Sequence, residues 1–144
     1  MMSSKSYYLD FTGYWLEKNI GGIPKASGVY CVYACTYNAE TDKVSIRLLV
    51  YIGEAQDVND RIANHEKWPD WRKHRQQGEE LCFNFAPAEP SERPRVEAAL
   101  IFRHKPPENS EHKDSFPFGE TTISTTGRNS LVDSKFTVHK TPSE

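Results

Sequence analysis

Three consecutive runs govern the reading of this chain: Gly28-Val29-Tyr30-Cys31-Val32-Tyr33, the polar break Tyr37-Asn38-Ala39-Glu40-Thr41-Asp42-Lys43, and Val44-Ser45-Ile46-Arg47-Leu48-Leu49-Val50-Tyr51-Ile52-Gly53. Both flanks are rich in β-branched and aromatic residues, and the break holds Asn, Asp and Thr, so the whole predicts a β-hairpin. An antiparallel pair brings the start of its first strand beside the end of its second. Gly28, Tyr30, Tyr51 and Gly53 are therefore expected to be neighbours. Glu54-Ala55-Gln56-Asp57 comes next, then a short helix predicted from about Val58 to Lys67, with Asp57 placed to cap it. On that helix Arg61 and His65 are four apart and share a face.

Outward from the hairpin, the first twenty residues carry Tyr7, Tyr8, Leu9, Phe11, Tyr14, Trp15 and Leu16. That is too aromatic for a disordered leader and reads as a short strand with a turn or helix. Gly21-Gly22-Ile23-Pro24 is a loop. Trp68-Pro69 is expected to stop the Arg61 helix, because the residue before proline avoids the helical region. A second short helix is expected at roughly Asp70 to Gln77, closed by Gly78.

Leu81-Cys82-Phe83-Asn84-Phe85-Ala86 alternates and predicts a half-buried third strand. Ser91 is a candidate cap for a helix running to about His104, with Pro94 in its first turn and Lys105-Pro106-Pro107 ending it. Within that helix Glu97 interrupts Val96, Ala98, Ala99, Leu100, Ile101 and Phe102. Burying an ionised carboxylate without a partner costs several kcal/mol or more, so Glu97 lies at the edge of the buried face or is turned inward for a reason. Beyond Asn109 the composition becomes polar. Thr121 to Thr125 and Ser134 to Val138, around Gly127-Arg128-Asn129, suggest a terminal hairpin. No internal repeat or low-complexity tract is present.

The 144 residues suit one domain, and 18 Lys and Arg against 20 Asp and Glu do not describe a chain that coats nucleic acid by bulk attraction. Any polyanion must meet a local patch. Arg61, Lys67, Arg72, Lys73 and Arg75 form one such segment, and Arg93, Arg95, Arg103 and Lys105 another. No run is long and apolar enough to span a bilayer, and Met1-Met2-Ser3-Ser4-Lys5 does not open a signal peptide, so a soluble, cytoplasmic protein is expected. Cys31, Cys35 and Cys82 are odd in number and read as reduced, buried thiols. Cys31 and Cys35 lie too far apart along one strand for a zinc knuckle.

Gly28-Val29-Tyr30, Tyr51-Ile52-Gly53, Arg61 eight residues beyond Gly53, His65 one turn later, Glu97, and Asn109 after Pro106-Pro107-Glu108 together resemble the signature of the GIY-YIG nuclease family. The resemblance covers about Ile23 to Asn109. Val29 replaces the name-giving Ile and the hairpin loop is longer than the family's shortest, but neither change removes a chemical group. The fold it implies is α/β (α+β), a small central antiparallel sheet of about three strands flanked by helices, with an extra C-terminal hairpin. Residues 1–109 would form the nuclease-like domain with its N-terminal extension, and 110–144 an extension packed on it.

The resemblance also implies an activity, metal-dependent hydrolysis of DNA phosphodiesters. Tyr30 would be the general base, although only about one phenol in a thousand is ionised at pH 7, so a nearby cation must favour the anion. Tyr51 would share that task or orient the water, and His65 would hold Tyr30 or exchange a proton with it. Arg61 offers a forked, permanent charge to the phosphate. Glu97 would hold one Mg²⁺ or Mn²⁺, which keeps much of its hydration when protein-bound. Gly28 and Gly53 would permit close backbone approach, and Asn109 would fix local backbone or the Glu97 environment. His74 stands where some homing members carry another histidine, and Arg72, Lys73 and Arg75 would contact substrate. The expected partner is double-stranded or branched DNA, with a recognition subunit setting the target. A catalytically silent nucleic-acid-binding or protein-interaction module on the same scaffold is the alternative.

Overall fold

A continuous apolar run, rather than an alternating one, marks the first hairpin strand from Val29 to Cys35. In a strand successive side chains point to opposite faces, so a run buried throughout must have a core on each side. The computed structural model, which describes residues 3–143, has such a layout. Met1, Met2 and Glu144, the first two belonging to the segment read for a leader, lie outside the described residues.

The chain forms β1 (Lys5–Leu16), a 3₁₀ turn (Glu17–Gly22), β2 (Gly28–Asn38), β3 (Lys43–Ala55), α1 (Val58–Ala63), α2 (Trp68–Arg72), β4 (Glu80–Pro87), α3 (Arg93–His104), β5 (Thr121–Gly127) and β6 (Lys135–Val138). The strands make one sheet in the order β3-β2-β4-β1-β5-β6. All pairings are antiparallel except β1 with β5, which run parallel from Lys5 opposite Thr121 to Phe11 opposite Gly127. Helix α3 touches β2 and β3 as well as β5 and β6, so the sheet curls around it.

This corrects the expected three-stranded sheet flanked by helices. The fold is a mixed, curled six-stranded sheet with few helices. β2, β3 and β4 are only half of it. The N-terminal segment is a twelve-residue strand, not a short one, and it bridges β4 to the terminal β5-β6 hairpin, which pairs antiparallel as expected.

Val29, Cys31, Tyr33 and Cys35 of β2, with Cys82 and Ala86 of β4, pack beneath α3 with Phe116, Ile123 and Phe136. Tyr30, Val32 and Ala34, with Leu81, Phe83 and Phe85, pack on the other face against Val58, Ile62 and Trp71 of α1 and α2. β4 is consequently buried on both faces rather than half-buried. Each such side chain contributes about 1.5–3 kcal/mol relative to exposure. The second core is what holds α1 and α2, of six and five residues, since helices that short do not persist alone.

Local boundaries also shift. Asp57 caps α1 by accepting from the Asp60 N–H, but the helix ends at Ala63, not Lys67. Trp68-Pro69 begins α2 instead of stopping its predecessor, because proline in a first turn gives up a donor that has no partner there. α2 ends at Arg72, short of Gln77. Glu92 rather than Ser91 precedes α3, without a side-chain cap.

Candidate functional site

The Tyr30–Gly53 pair is where the hairpin does more than pack. They face each other across β2 and β3. A methyl group on Gly53 would lie 2.4 Å from the Tyr30 ring carbon Cζ and hydroxyl, so the ring lies flat across a position that has to be glycine. Gly28 is equally constrained, since its added carbon would lie 2.3 Å from the Ala86 carbonyl oxygen. Both glycines serve close approach within the sheet.

Tyr51 stands beside Tyr30 with ring centroids 6.3 Å apart, and its ring meets the His65 ring edge-on at 5.4 Å. Trp71 closes the group, 4.5 Å from His65 and 5.4 Å from Tyr51. The His65 ring is fixed through Nδ1, which accepts the Lys67 N–H at 3.1 Å. That bond places the remaining proton on Nε2, which is buried without a partner, as is the Trp71 Nε1. Burial, with the Arg61 charge second, lowers His65 to about 4, so the imidazole is neutral at pH 7.

Tyr30 is 1 % exposed. Burial holds its phenol well above the ordinary value, with Tyr51 adding to this and Arg61 working against it. Tyr51 is pushed up to about 12, again chiefly by burial. Arg61 does not stand free: its Nη1 and Nη2 donate to the Glu66 carboxylate at 2.9 and 3.1 Å, a two-pronged pair. This bond depresses Glu66 to about 2.

Glu97 enters from α3 and lines a cleft of about 210 Å³ with Tyr51, Lys67, Asn109, Glu111 and His112. Burial pushes its carboxyl up to about 8, and the Glu54 and Glu111 carboxylates push the same way. A half-buried oxygen donor repelled by two neighbours fits a hydrated divalent cation such as Mg²⁺ or Mn²⁺. Among the described residues no group of three or more His, Cys, Asp or Glu could hold a metal, so Glu97 would act with water. Asn109 does not enter this chemistry directly. Its Oδ1 accepts the Ile52 N–H at 3.0 Å and its Nδ2 donates to the Ile52 carbonyl at 2.9 Å, imitating a neighbouring strand at the edge of β3. It thereby fixes the backbone between Tyr51 and Gly53.

Tyr30, Tyr51, His65, Glu97 and Asn109 thus come together from β2, β3, the turn after α1, α3 and the loop after it. Gly53 lies against the Tyr30 ring and the Arg61 charge acts on Tyr30, Tyr51 and His65, whereas His74, Arg72, Lys73 and Arg75 have other partners. His74 Nε2 is engaged by Glu108 at 2.6 Å. Arg72 and Arg75 lie 3.8 and 3.7 Å from Glu17, and Lys73 lies 3.4 Å from Asp70. Arg72 lines a different cleft, with Glu17, Trp68 and Glu80. Lys67 was visible in the sequence only as part of a basic segment, and Glu66, Trp71 and Glu111 carry no sequence signal of a site, since no local spacing ties them to the tyrosines. Comparison of the chain with protein-family models, with curated proteins and with solved structures found no match.

Proposed function

We propose that this protein is a metal-dependent endonuclease that hydrolyses phosphodiester bonds in DNA. The observation that carries the reading is that Tyr30 and His65 both pack beside Tyr51, which lines a cleft with Glu97. Glu97 would hold Mg²⁺ or Mn²⁺, which when bound supplies positive charge to the phosphoryl oxygens and lowers the pKa of a coordinated water. Arg61 receives the scissile phosphate in its fork once Glu66 yields it. Tyr30 would take the proton of the attacking water once its own proton has passed to solvent, a loss that the Arg61 charge and the bound cation would favour and that burial opposes. Tyr51 orients that water, and His65, neutral and pinned by the Lys67 N–H, fixes the Tyr51 ring. Lys67, on the cleft wall, offers a second cation to the strand. Double-stranded or branched DNA is the substrate, with target choice set by a partner.

Two further observations are general and bear on compartment rather than on chemistry. Free, buried Cys31, Cys35 and Cys82 suit a reducing, cytoplasmic compartment. Among the described residues no helix is long and apolar enough to cross a membrane.

One observation favours the silent module instead: burial keeps the Tyr30 phenol protonated, so the resting site has no ready base. Cleavage of supercoiled plasmid and of labelled single- and double-stranded DNA in Mg²⁺ or Mn²⁺ separates the two. Nicking that disappears with EDTA and in Glu97→Ala and Tyr30→Phe is expected. Salt-sensitive DNA binding by folded protein without cleavage would leave the binding module.

A further inference from the structure

A second groove lies at the far end of the β2-β3 hairpin, about seven residues or roughly 23 Å along β2 from Tyr30. It has a volume of about 510 Å³, and its walls include Tyr14, Asn19, Tyr37, Asp42, Lys43 and Arg128. It is separate from the Glu97 cleft, and Tyr37 belongs to the core face opposite the one that buries Tyr30.

The aromatic walls are held in place. Tyr37 Oη donates to Asp42 at 2.7 Å, and Tyr14 Oη pairs with Ser130 Oγ at 2.5 Å. Both rings are half-buried, and Lys18 Nζ stands 5.8 Å from the Tyr37 ring centroid, over its face. Among the described residues Lys18, Lys43 and Arg128 have no carboxylate partner, as is true elsewhere of Lys25, Lys67, Arg95, Lys105, Lys113, Lys135 and Lys140. Exposed, unpaired cations beside fixed aromatic rings call for an anion joined to a flat ring.

We propose that this groove binds a nucleotide unit, a planar base bearing phosphate, with Tyr37 and Tyr14 against the base and Lys43 and Arg128 on the phosphate; Lys18, which lines the cleft of Arg72 and Glu80, covers one face of the Tyr37 ring. The volume falls in the range of small-ligand sites, about 300–1,000 Å³. The Asn19 amide and the Asp42 carboxylate offer hydrogen bonds to base edges. Asp42 at the same time opposes a bare polyphosphate, which also leaves the rings unused. The nucleotide is either free or the end of a strand, and the assignment is independent of any reaction at Glu97.

The test is titration of the full chain in EDTA, which keeps the Glu97 cleft without metal, monitored by calorimetry and by the ring signals of Tyr14 and Tyr37 in NMR. AMP, GMP and UMP form one arm, a short 5′-phosphorylated oligothymidylate a second, and inorganic pyrophosphate a third. Saturation by the mononucleotides assigns a free nucleotide, and saturation by the oligomer alone assigns a strand end. Either result supports the site, provided Lys43→Ala/Arg128→Ala weakens it about tenfold or more. Tyr37→Leu weakens it similarly while Tyr37→Phe retains it, with unchanged circular dichroism in each case. The proposal is overturned if neither nucleotide arm saturates, if pyrophosphate binds as tightly as the nucleotides, or if the double variant binds like the parent.

Discussion

Replacing Glu97 by Gln keeps the shape of the side chain and removes only its ability to ionise. In the folded, metal-free protein the Glu97 carboxyl is raised from 4.5 to about 8 by burial and by Glu54 and Glu111. The unfolded chain releases this proton near 4.5 while the folded chain holds it to about 8, so the native state binds more protons between those values. Stability is therefore full below pH 4.5 and is lost as pH rises through 8. At about 1.4 kcal/mol per unit, ionising Glu97 costs the native state roughly 3 kcal/mol at pH 7 and about 5 above pH 9. Water in the cleft screens part of this, so Glu97→Gln should gain about 1.5–3 kcal/mol over the parent at pH 7. In a chain of this size that raises Tm by about 5–10 °C. Urea unfolding in EDTA at pH 4, 7 and 9 measures the gap, which should be near zero at pH 4 and widen upward. Mg²⁺ at saturating concentration should narrow it by stabilising the parent alone. A gap that is absent at pH 7, or independent of pH, would mean that the carboxyl faces solvent and would remove the reason for placing a cation there.

His65 gives the opposite slope. Its imidazole is lowered from 6.5 to about 4, so the unfolded chain takes up the proton first, and stability present above pH 6.5 is lost as pH falls through 4. In a Glu97→Gln background this amounts to about 2–3 kcal/mol between pH 7 and 4, visible in urea midpoints and absent in Glu97→Gln/His65→Phe. Gly53→Ala drives a methyl group into the Tyr30 ring at 2.4 Å and should cost about 1–3 kcal/mol while sharply reducing DNA cleavage; a variant as stable and active as the parent would show that Tyr30 is free to move. Glu66→Gln empties the Arg61 fork. Since an exposed pair is worth at most about 1 kcal/mol, duplex binding by fluorescence anisotropy should tighten only a few-fold, about fivefold at most, and the gain should vanish in Arg61→Ala.

The hairpin was legible because two apolar runs flank one polar break, which makes Gly28, Tyr30, Tyr51 and Gly53 neighbours. That Tyr30 faces Gly53 was not legible: counted straight from Asn38 opposite Lys43 it would face Tyr51, and two irregularities, between Val32 and Tyr33 and between Ala34 and Cys35, shift the register. β1 was harder to size, because its alternation breaks at Gly13, where its register against β4 shifts, and its length is set by partners on both sides. Its parallel pairing with β5 joins Lys5 to Thr121, a contact no local pattern encodes. That pairing completes the six-stranded sheet, of which the family resemblance, ending at Asn109, could imply only half. Trp68-Pro69 carried an ambiguous signal: the same dipeptide can end one helix or start the next, and the burial of Trp71 against Phe83 selects the start.

The site divides along the same line. Glu97 was visible as a carboxylate in an apolar helical run, whereas Glu54 and Glu111, which raise its pKa, come from a strand end and a loop brought beside it only by folding. Arg61 was visible as a helical cation, whereas its partner Glu66 is five residues on, past the end of α1 and off any helical spacing. In both cases the group belongs to a local pattern, and the neighbour that sets its charge arrives through tertiary structure. The two ends of the hairpin consequently differ in how they meet an anion. At the Tyr30 end buried tyrosines adjoin carboxylates and a guanidinium already paired, a site with little attraction for a polyanion until a cation arrives or Glu66 moves. At the Tyr37 end half-buried tyrosine rings adjoin Lys18, Lys43 and Arg128, which have no carboxylate partner. The Glu97 cleft keeps one cation without a carboxylate partner, Lys67, on its wall, and Arg61 becomes a second when Glu66 yields it, so DNA binding there should strengthen with divalent cation yet persist weakly in EDTA, whereas cleavage should vanish.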